Sequence, residues 1–496
     1  MDEPGALHQR NGPAAGARMH GQFTDADTGR LTHALTLSDS CLTVQNISSS
    51  SPPEHLDLRD CLWSRAHRGE DQDAYLCVYL YPYRRRWMAW GPGRQRDERR
   101  FRLALRTDDN DEDANLREAE RWARAINSVG RAEHAHGVLL SEVRRPRGMM
   151  VLVNPQSGQG QAMALYNRHI QRMLTEADIP HTLFITERQN HARDLVRSAD
   201  LTQWDALVVL SGDGLLFEVV NGLMDRPDWE KAIQTPLGIL PGGSGNALAA
   251  SVHHYTRASP VWGEDLLTSC GFLLCKGLVS KLDLVSIRLA SGARLFSFLS
   301  LAWGFVADVD IESERFRPIG ALRFLLSTLL SLASLRVYQG KLAFLPAESE
   351  RESSSAGLCG ADTRLPDRLL VPLEQPVPQD WTQVEEQEFV LVLAMFQAHL
   401  DEDLRAAPDA RVDDGLIHLF YVTGGVSRLM MLRLFRAMQS GKHLDLGCAH
   451  LVYRRARALR LEPLSTAGVM TVDGERVEYG PLQAQVHRGA ARLISA

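Results

Sequence analysis

Four times between residues 148 and 255, a short apolar run gives way to a turn and then to a helical pattern. The runs are GMMVLVNP, HTLFITERQ, WDALVVLSGDG and PLGILPGGSGN, followed by stretches such as NHARDLVRSAD and LLFEVVNGLMDR. Strands alternating with helices predict a mostly parallel sheet covered by helices on both faces. This alternation restricts the fold more than any other feature of the chain.

Three of the turns are rich in glycine. Asn154-Pro155-Gln156-Ser157-Gly158-Gln159-Gly160 lacks the GK[ST] ending of a P-loop and the third glycine of a dinucleotide fingerprint. It still offers backbone N–H groups to an anion, with a plain tight turn as the equal alternative. Ser211-Gly212-Asp213-Gly214 places an acid at the carboxyl end of a buried strand, where open α/β sheets bind ligands. Asp213 is otherwise a turn residue or a helix cap. Pro241-Gly242-Gly243-Ser244-Gly245-Asn246 forms a second anion nest before an Ala-rich helix. Two nests and one carboxylate predict phosphoryl transfer, with Asp213 taking the proton of an alcohol.

The chain has 496 residues, enough for about three domains. It carries 55 Lys+Arg against 61 Asp+Glu, a net charge of −6, which argues against a nucleic-acid binder held by a basic surface. Its seven cysteines are scattered with no CxxC pair, against a disulfide framework or a zinc site. The adjacent His253 and His254 do not share a helix face, against a metal pair. The start, MDEPGALHQR, does not read as a signal peptide. The longest apolar stretches, near 295–307 and 324–335, are shorter than the ~20 residues that span a bilayer. A soluble or peripheral protein is expected.

Residues 1–145 read as a separate module. HALTLSDSCLTVQNI, AYLCVYLYPY and RRFRLALRT are strand candidates, and DEDANLREAERWARAINSVG is a helix with Ala119, Trp122, Ala123 and Ile126 on one face. Several strands closed by a Trp-bearing helix resemble a pleckstrin-homology-like α+β domain. The run Arg84, Arg85, Arg86, Arg94, Arg96, Arg99, Arg100 and Arg102 is either a lipid-phosphate contact or a solvated edge, the latter preferred. Residues 146–281 form the α/β region. Over 282–496 the patterns are mainly strands, in an all-β or α+β lobe with a mobile Ser/Pro-rich insert at about 348–387.

VLVNPQSGQG, SGDGLLFEVVNGL and PGGSGNALA, in this order, resemble the diacylglycerol-kinase-type catalytic domain of lipid kinases. TERQNHAR, SLAWGFVADVDIESERFR, AAPDARVDDG and TVDGERVEYGPLQAQ narrow the resemblance to sphingosine kinases, the longer type 2-like ones by the N-terminal module and the tail. The resemblance implies an α/β nucleotide lobe and a β-sandwich lipid lobe, with ATP and Mg²⁺ as cofactors. It places Asn154, Pro155, Gln156, Thr186, Glu187, Arg188, Gln189, Asn190, Glu218, Gly243, Ser244, Gly245, Arg317, Arg323, Asp473, Gly474 and Glu475 at ATP. Asp213 is the general base. Ser211, Gly212, Gly214, Ser300, Thr328 and His443 border the lipid, and Asp310 pairs with the sphingoid ammonium. No metal-ligand cluster stands out to fix Mg²⁺.

The residue chemistry is compatible. Arg317 and Arg323 are planar donors for phosphate charge. Asp308, Asp310, Glu312 and Glu314 alternate, so an extended chain would set them on one side, facing a cationic amine. Gln159, Gln161 and Pro318 replace basic residues of type 1-like kinases, which weakens an anionic-membrane patch there. Phe324, Leu325, Leu326, Leu329 and Leu330 follow a helical spacing. The resemblance implies a lid, a membrane patch and a calmodulin site, while core packing is the equal alternative. The expectation is a sphingosine kinase acting on sphingosine and sphinganine, cytoplasmic and peripheral on membranes, with nucleus, endoplasmic reticulum or mitochondria also open. A ceramide or diacylglycerol kinase and a catalytically dead scaffold are the alternatives.

Overall fold

The computed structural model describes residues 18–25, 31–71, 73–85, 92–103, 113–132, 148–313, 332, 335–348 and 365–495. It divides into two compact units, Met1–Val143 with Thr175–Asp178, and Arg144–Leu174 with Ile179–Ala496.

In the first unit, β1 (Met19–Asp25), β2 (Leu31–Leu37), β3 (Cys41–Asn46), β4 (Glu54–Asp57), β5 (Cys61–Arg68), β6 (Ala74–Leu80) and a strand over Asp97–Leu103 form one antiparallel sheet. Two short strands, β7 (Tyr83–Arg85) and β8 (Pro92–Arg94), pair separately, so Asp97–Leu103 is β9. The sheet order is β4-β3-β2-β1-β9-β6-β5. Helix α1 (Ala114–Ala132) packs on β5 and β6 through the expected face, with Ala119, Trp122, Ala123 and Ile126 all buried. Trp122 meets Phe23 edge-on at 5.3 Å. Asn127 acts as an extra strand residue: its amide accepts from Ser64 N at 2.7 Å and donates to Ser64 O at 2.8 Å.

The described side chains of the arginine run are used inside this unit, and Arg86 and the side chain of Arg85 lie outside the described residues. Arg84 pairs with Asp97 (2.5 Å), Arg94 with Asp60 (2.9 Å), Arg96 with Glu98 (2.7 Å) and Arg99 with Glu54 (2.6 Å). Arg102 pairs with Asp73, and Arg100 stacks 4.0 Å over the ring of Tyr75. These arginines neutralise neighbouring acids and cover the tyrosines on the outer face of β6.

The second unit begins with a parallel sheet of β10 (Met149–Val153), β11 (His181–Ile185), β12 (Ala206–Ser211) and β13 (Leu237–Pro241), in the order β11-β10-β12-β13. Every residue of β10, β12 and β13 is buried, as parallel strands covered on both faces require. The connecting helices are α2 (Ala162–Leu165), continuing as a π turn into α3 (Gln171–Glu176), then α4 (His191–Ser198), α5 (Asp213–Met224) and α6 (Trp229–Ala232), followed by α7 (Ala247–Tyr255) and α8 (Gly263–Lys276). From β10 the chain goes to β11 on one side and later to β12 on the other. The crevice between the carboxyl ends of β10 and β12 is therefore a topological switch point, where such sheets bind ligands.

An antiparallel β region continues the same sheet. Its strands are β14 (Val279–Leu289), β15 (Arg294–Ser297), β16 (Ser300–Gly304), β17 (Tyr338–Pro346), β18 (Thr382–Gln383), β19 (Glu388–Met395), β20 (Ile417–Thr423), β21 (Leu451–Pro463), β22 (Met470–Val472), β23 (Glu475–Arg476) and β24 (Leu482–Ile494). The last strand joins the two regions: β24 runs antiparallel to β14 and β21 and meets β13 at Leu493 and Leu237. Side chains alternate along β19. Val392 and Ala394 enter one core with Trp303 and Phe389, while Leu391, Leu393 and Met395 enter another with Phe305 and Val306.

Three segments differ from the sequence expectation. Phe305–Ser313 is a helix, α9, and not the extended chain that the alternation of acids suggested; Glu314 lies outside the described residues. Phe305, Val306 and Val309 carry the buried apolar contacts that favour the helix, and Asp308 accepts from the Tyr338 hydroxyl at 2.5 Å. Arg428–Met438 is a further helix, α10, capped by Ser427 and burying Met431, Leu434 and Met438. Of the expected mobile insert, residues 365–387 are held in place. Asp367 is fully buried between Arg288 and Arg294 (2.7 Å to Arg294), and Trp381 and Leu370 pack into a small core. The Phe324–Leu330 stripe and residues 349–364 of the insert lie outside the described residues. Among the described residues, no helix is long and apolar enough to cross a membrane.

Candidate active site

The switch point gathers all three glycine turns. The Ser157 hydroxyl accepts from Ser211 Oγ at 2.9 Å and from Gly212 N at 3.2 Å, tying the first turn to the second. Gly158 has φ +61°, and a Cβ there would lie 2.9 Å from Gly242 O. A Cβ on Gly243 would lie 2.3 Å from Gly212 Cα, so the second and third turns touch backbone to backbone. Asn246, itself at φ +55°, closes the third turn: Oδ1 accepts from Gly243 N at 2.9 Å and Nδ2 donates to Gly243 O at 3.2 Å. Only glycine permits these approaches.

Asp213 opens α5 and is buried, 8% exposed as a residue. Oδ2 accepts from Ala247 N at 2.9 Å and Oδ1 from Leu248 N at 3.0 Å. The carboxylate takes the orphan N–H groups at the start of α7, so a capping role is present, and it also lines the cavity. Burial pushes its pKa up, against the pull of the two amides.

Glu218, one turn further along α5, accepts from Asn190 N (2.8 Å) and Ala192 N (3.1 Å), which holds the left-handed Asn190 at the start of α4. It fixes the path of Thr186–Asn190. Thr186 is anchored to Val153 O at 2.9 Å, and Arg188 pairs with Asp194 at 2.6 Å.

Asp473, at φ +51° after β22, is 3% exposed. It accepts from the Ser297 hydroxyl (2.5 Å) and from the amides of Phe298 (3.1 Å), Leu299 (3.0 Å) and Ser300 (2.9 Å). Burial outweighs these donors and raises its pKa from 3.8 to about 7. Such a group contributes stability that is complete below pH 3.8 and lost as pH rises through about 7. Asp473→Ala should remove roughly 3 kcal/mol or more by leaving four buried donors without an acceptor. The thermal-midpoint gap between the two proteins should narrow as pH rises across that window. A gap that widens would mean the donors keep the carboxylate ionised throughout.

These pieces enclose a cavity of about 550 Å³. Its polar end holds Asn154, Gln156, Thr186 to Gln189, Ser211 to Gly214, Glu218, Gly243 to Gly245 and Asp473 to Glu475, and Ser300 is also in its wall. Its apolar walls are Leu299, Val306, Val309, Leu400, Leu404 and Phe435. Pro155 and Asn190 shape the turns without lining it. His443 is buried against Phe420, with ring centres 5.7 Å apart, outside the cavity wall. Arg317, Arg323 and Thr328 lie outside the described residues, and so does the side chain of Asp310 on α9.

Sequence reasoning missed Ser157, and also the segment Leu400–Leu404. That segment lies far along the chain, yet Glu402 Oε2 accepts from Asn246 Nδ2 at 2.8 Å and Glu402 N donates to Gly245 O at 2.7 Å. No local period signals such a contact.

The glycine cradle, where Cβ atoms would collide, fits the phosphates of a nucleotide. Among the described residues no group of three or more His, Cys, Asp or Glu is placed to hold a metal ion.

Residues 148–287 match the diacylglycerol kinase catalytic domain, and residues 372–495 match the YegS C-terminal NAD kinase beta sandwich-like domain. The chain is 54% identical to sphingosine kinase 1 of Homo sapiens, over 71% of this chain and 91% of that one. It is 38% identical to sphingosine kinase 2 of Homo sapiens, over 96% of this chain and 91% of that one, so this match takes in the N-terminal module. A solved structure described as a diacylglycerol kinase, from Bacillus anthracis str. Sterne, shares the fold at a TM-score of 0.51 and 18% identity, over 71% of this chain and 98% of that one. The chain belongs to the sphingosine kinase family, with a diacylglycerol-kinase-type nucleotide lobe and a C-terminal β-sandwich.

Proposed function

We propose that the protein transfers the terminal phosphoryl group of ATP to the primary hydroxyl of sphingosine or dihydrosphingosine, giving the 1-phosphate. The observation that carries this reading is the buried Asp213 carboxylate at the meeting point of three glycine turns, in a cavity polar at one end and apolar at the other. The glycine turns hold the phosphates through backbone N–H groups. The apolar walls take the alkyl chain and exclude water. Asp213 takes the hydroxyl proton as the oxygen attacks phosphorus, and its raised pKa makes it a better base than an exposed carboxylate. Its amide partners hold it in place. Mg²⁺ bound with ATP would offset the negative charge of the phosphates during transfer.

Asp310 is assigned to the ammonium group, which a neutral diacylglycerol lacks. Asp310→Asn should raise the sphingosine KM by about tenfold or more, for a charged hydrogen bond of about 1.5–3 kcal/mol, and leave the ATP KM nearly unchanged. An equal rise in both would remove this role. Phosphate transfer from ATP to sphingosine, ceramide and diacylglycerol, compared side by side, tests the function. A preference for ceramide or diacylglycerol, or no transfer at all, overturns it.

The antiparallel sheet and closing helix of the first unit support a pleckstrin-homology-like assignment. A cytoplasmic protein that reaches its lipid at a membrane surface completes the proposal.

A further inference from the structure

Helix α10 carries apolar side chains on both faces. Met431, Leu434 and Met438 are buried, and Phe435 both lines the cavity and packs on Phe305 with ring centres 5.3 Å apart. On the opposite side Leu429 is 58% exposed and Leu432 38%. The 3₁₀ turn that follows, His443–Leu446, packs against α10 and exposes Leu444 (36%) and Leu446 (42%) while burying His443. A surface helix with its core face already satisfied has no packing reason to present leucines to water.

The charges around these leucines are mostly positive. Arg428, Arg433, Arg436 and Lys442 are all exposed, and Asp445 is the one acid between Arg428 and Leu446. None of the four cations pairs with a carboxylate among the described residues. The arginines of the first unit, by contrast, meet acids at nearly every position. Across the end of the helix, Asp403 approaches Gln439 (3.5 Å) and the Arg405 guanidinium bonds Ser440 O. Exposed leucines interleaved with unpaired cations are the pattern of a helix lying in a bilayer interface, with its leucines among acyl chains and its cations at anionic headgroups.

We infer that the outward face of α10 and the following turn docks on an anionic lipid surface. Resting on the reading of the cavity as a lipid site, it sets the apolar cavity wall directly behind the membrane contact.

The test is flotation of the full chain with vesicles of phosphatidylcholine, with and without phosphatidylserine, in the absence of ATP and sphingosine. Leu429→Gln with Leu432→Gln should weaken binding to both by about tenfold or more. Arg433→Gln with Arg436→Gln should weaken binding to the phosphatidylserine vesicles by about fivefold per residue, as about 1 kcal/mol per basic residue near an anionic surface requires, and should leave the neutral vesicles unchanged. Neither pair should move the thermal midpoint by more than about 2 °C. The inference is overturned if the full chain does not float with the phosphatidylserine vesicles or if both variants bind as the parent does. It is also overturned if the leucine pair lowers the midpoint by many degrees, meaning the chain itself covers this face, or converts a dimer to a monomer, meaning a second copy does. Flotation needs no turnover, so a protein that binds vesicles as expected but does not phosphorylate sphingosine removes the functional reading alone.

Discussion

Asp213→Asn should lower lipid phosphorylation by roughly 10²–10⁴-fold, the usual loss of a general base, while ATP binding survives. The amide cannot take the hydroxyl proton at neutral pH. The proposed phosphate cradle is backbone at Gly158, Ser244 and Gly245, and the substitution leaves it alone. The geometry adds a second effect. Asp213 offers one oxygen to Ala247 N and the other to Leu248 N. Asn keeps one acceptor and turns an NH₂ group toward the other N–H, which should cost about 1–3 kcal/mol of stability. Calorimetric ATP binding, lipid phosphorylation and thermal melting on the same preparation separate the two. A lower melting point with near-normal turnover would leave Asp213 as a cap only. In the parent protein the base must be ionised to act, and burial raises its pKa, so the rate should climb with pH through a value above that of an exposed carboxylate.

Gly243→Ala should reduce kcat/KM for ATP by about 100-fold and lower the melting point. The added Cβ would sit 2.3 Å from Gly212 Cα and 2.5 Å from Gly212 N, where carbon contacts prefer about 3.5–4.0 Å. The obstacle is backbone, so the turns must part by about 1 Å, and a shift of that size in a positioned reactant costs about 10²-fold. Overpacking of this kind typically costs about 1–3 kcal/mol. Gly480→Ala, where the new Cβ would meet Ala290 at 3.8 Å in ordinary contact, is the matched control and should change neither quantity. An unchanged ATP KM in the Gly243 variant would show that the second and third turns do not jointly hold phosphate.

The legible parts of the chain share a short-range signature. The strands ending at Val153, Ser211 and Pro241 are continuous apolar runs closed by glycine, and they form the buried parallel strands expected of them. The Ala119–Ile126 face of α1 follows the helical period and is buried. Where two periods overlap, local reading fails. The segment Phe305–Ser313 shows acids at every second position and apolar residues at Val306 and Val309, and the apolar contacts decide for helix. Glu218 shows another limit: its type and position mark the site, but its oxygens are used to hold the start of α4.

The sequence by itself determined that a parallel sheet would form here, that three of its strands would end in glycine turns, and that Asp213 would stand at one of them. These follow from apolar period and from backbone sterics, which act over a few residues. Only the tertiary structure decided that the Ser157 hydroxyl joins two turns, that Gly243 presses on Gly212, and that Glu402 grips Asn246. It also decided that four donors from Ser297 to Ser300 close on Asp473. Contacts between segments so far apart leave no period in the chain. They exist because β11 and β12 flank β10 and open one crevice, into which each distant turn brings the groups its own backbone leaves over.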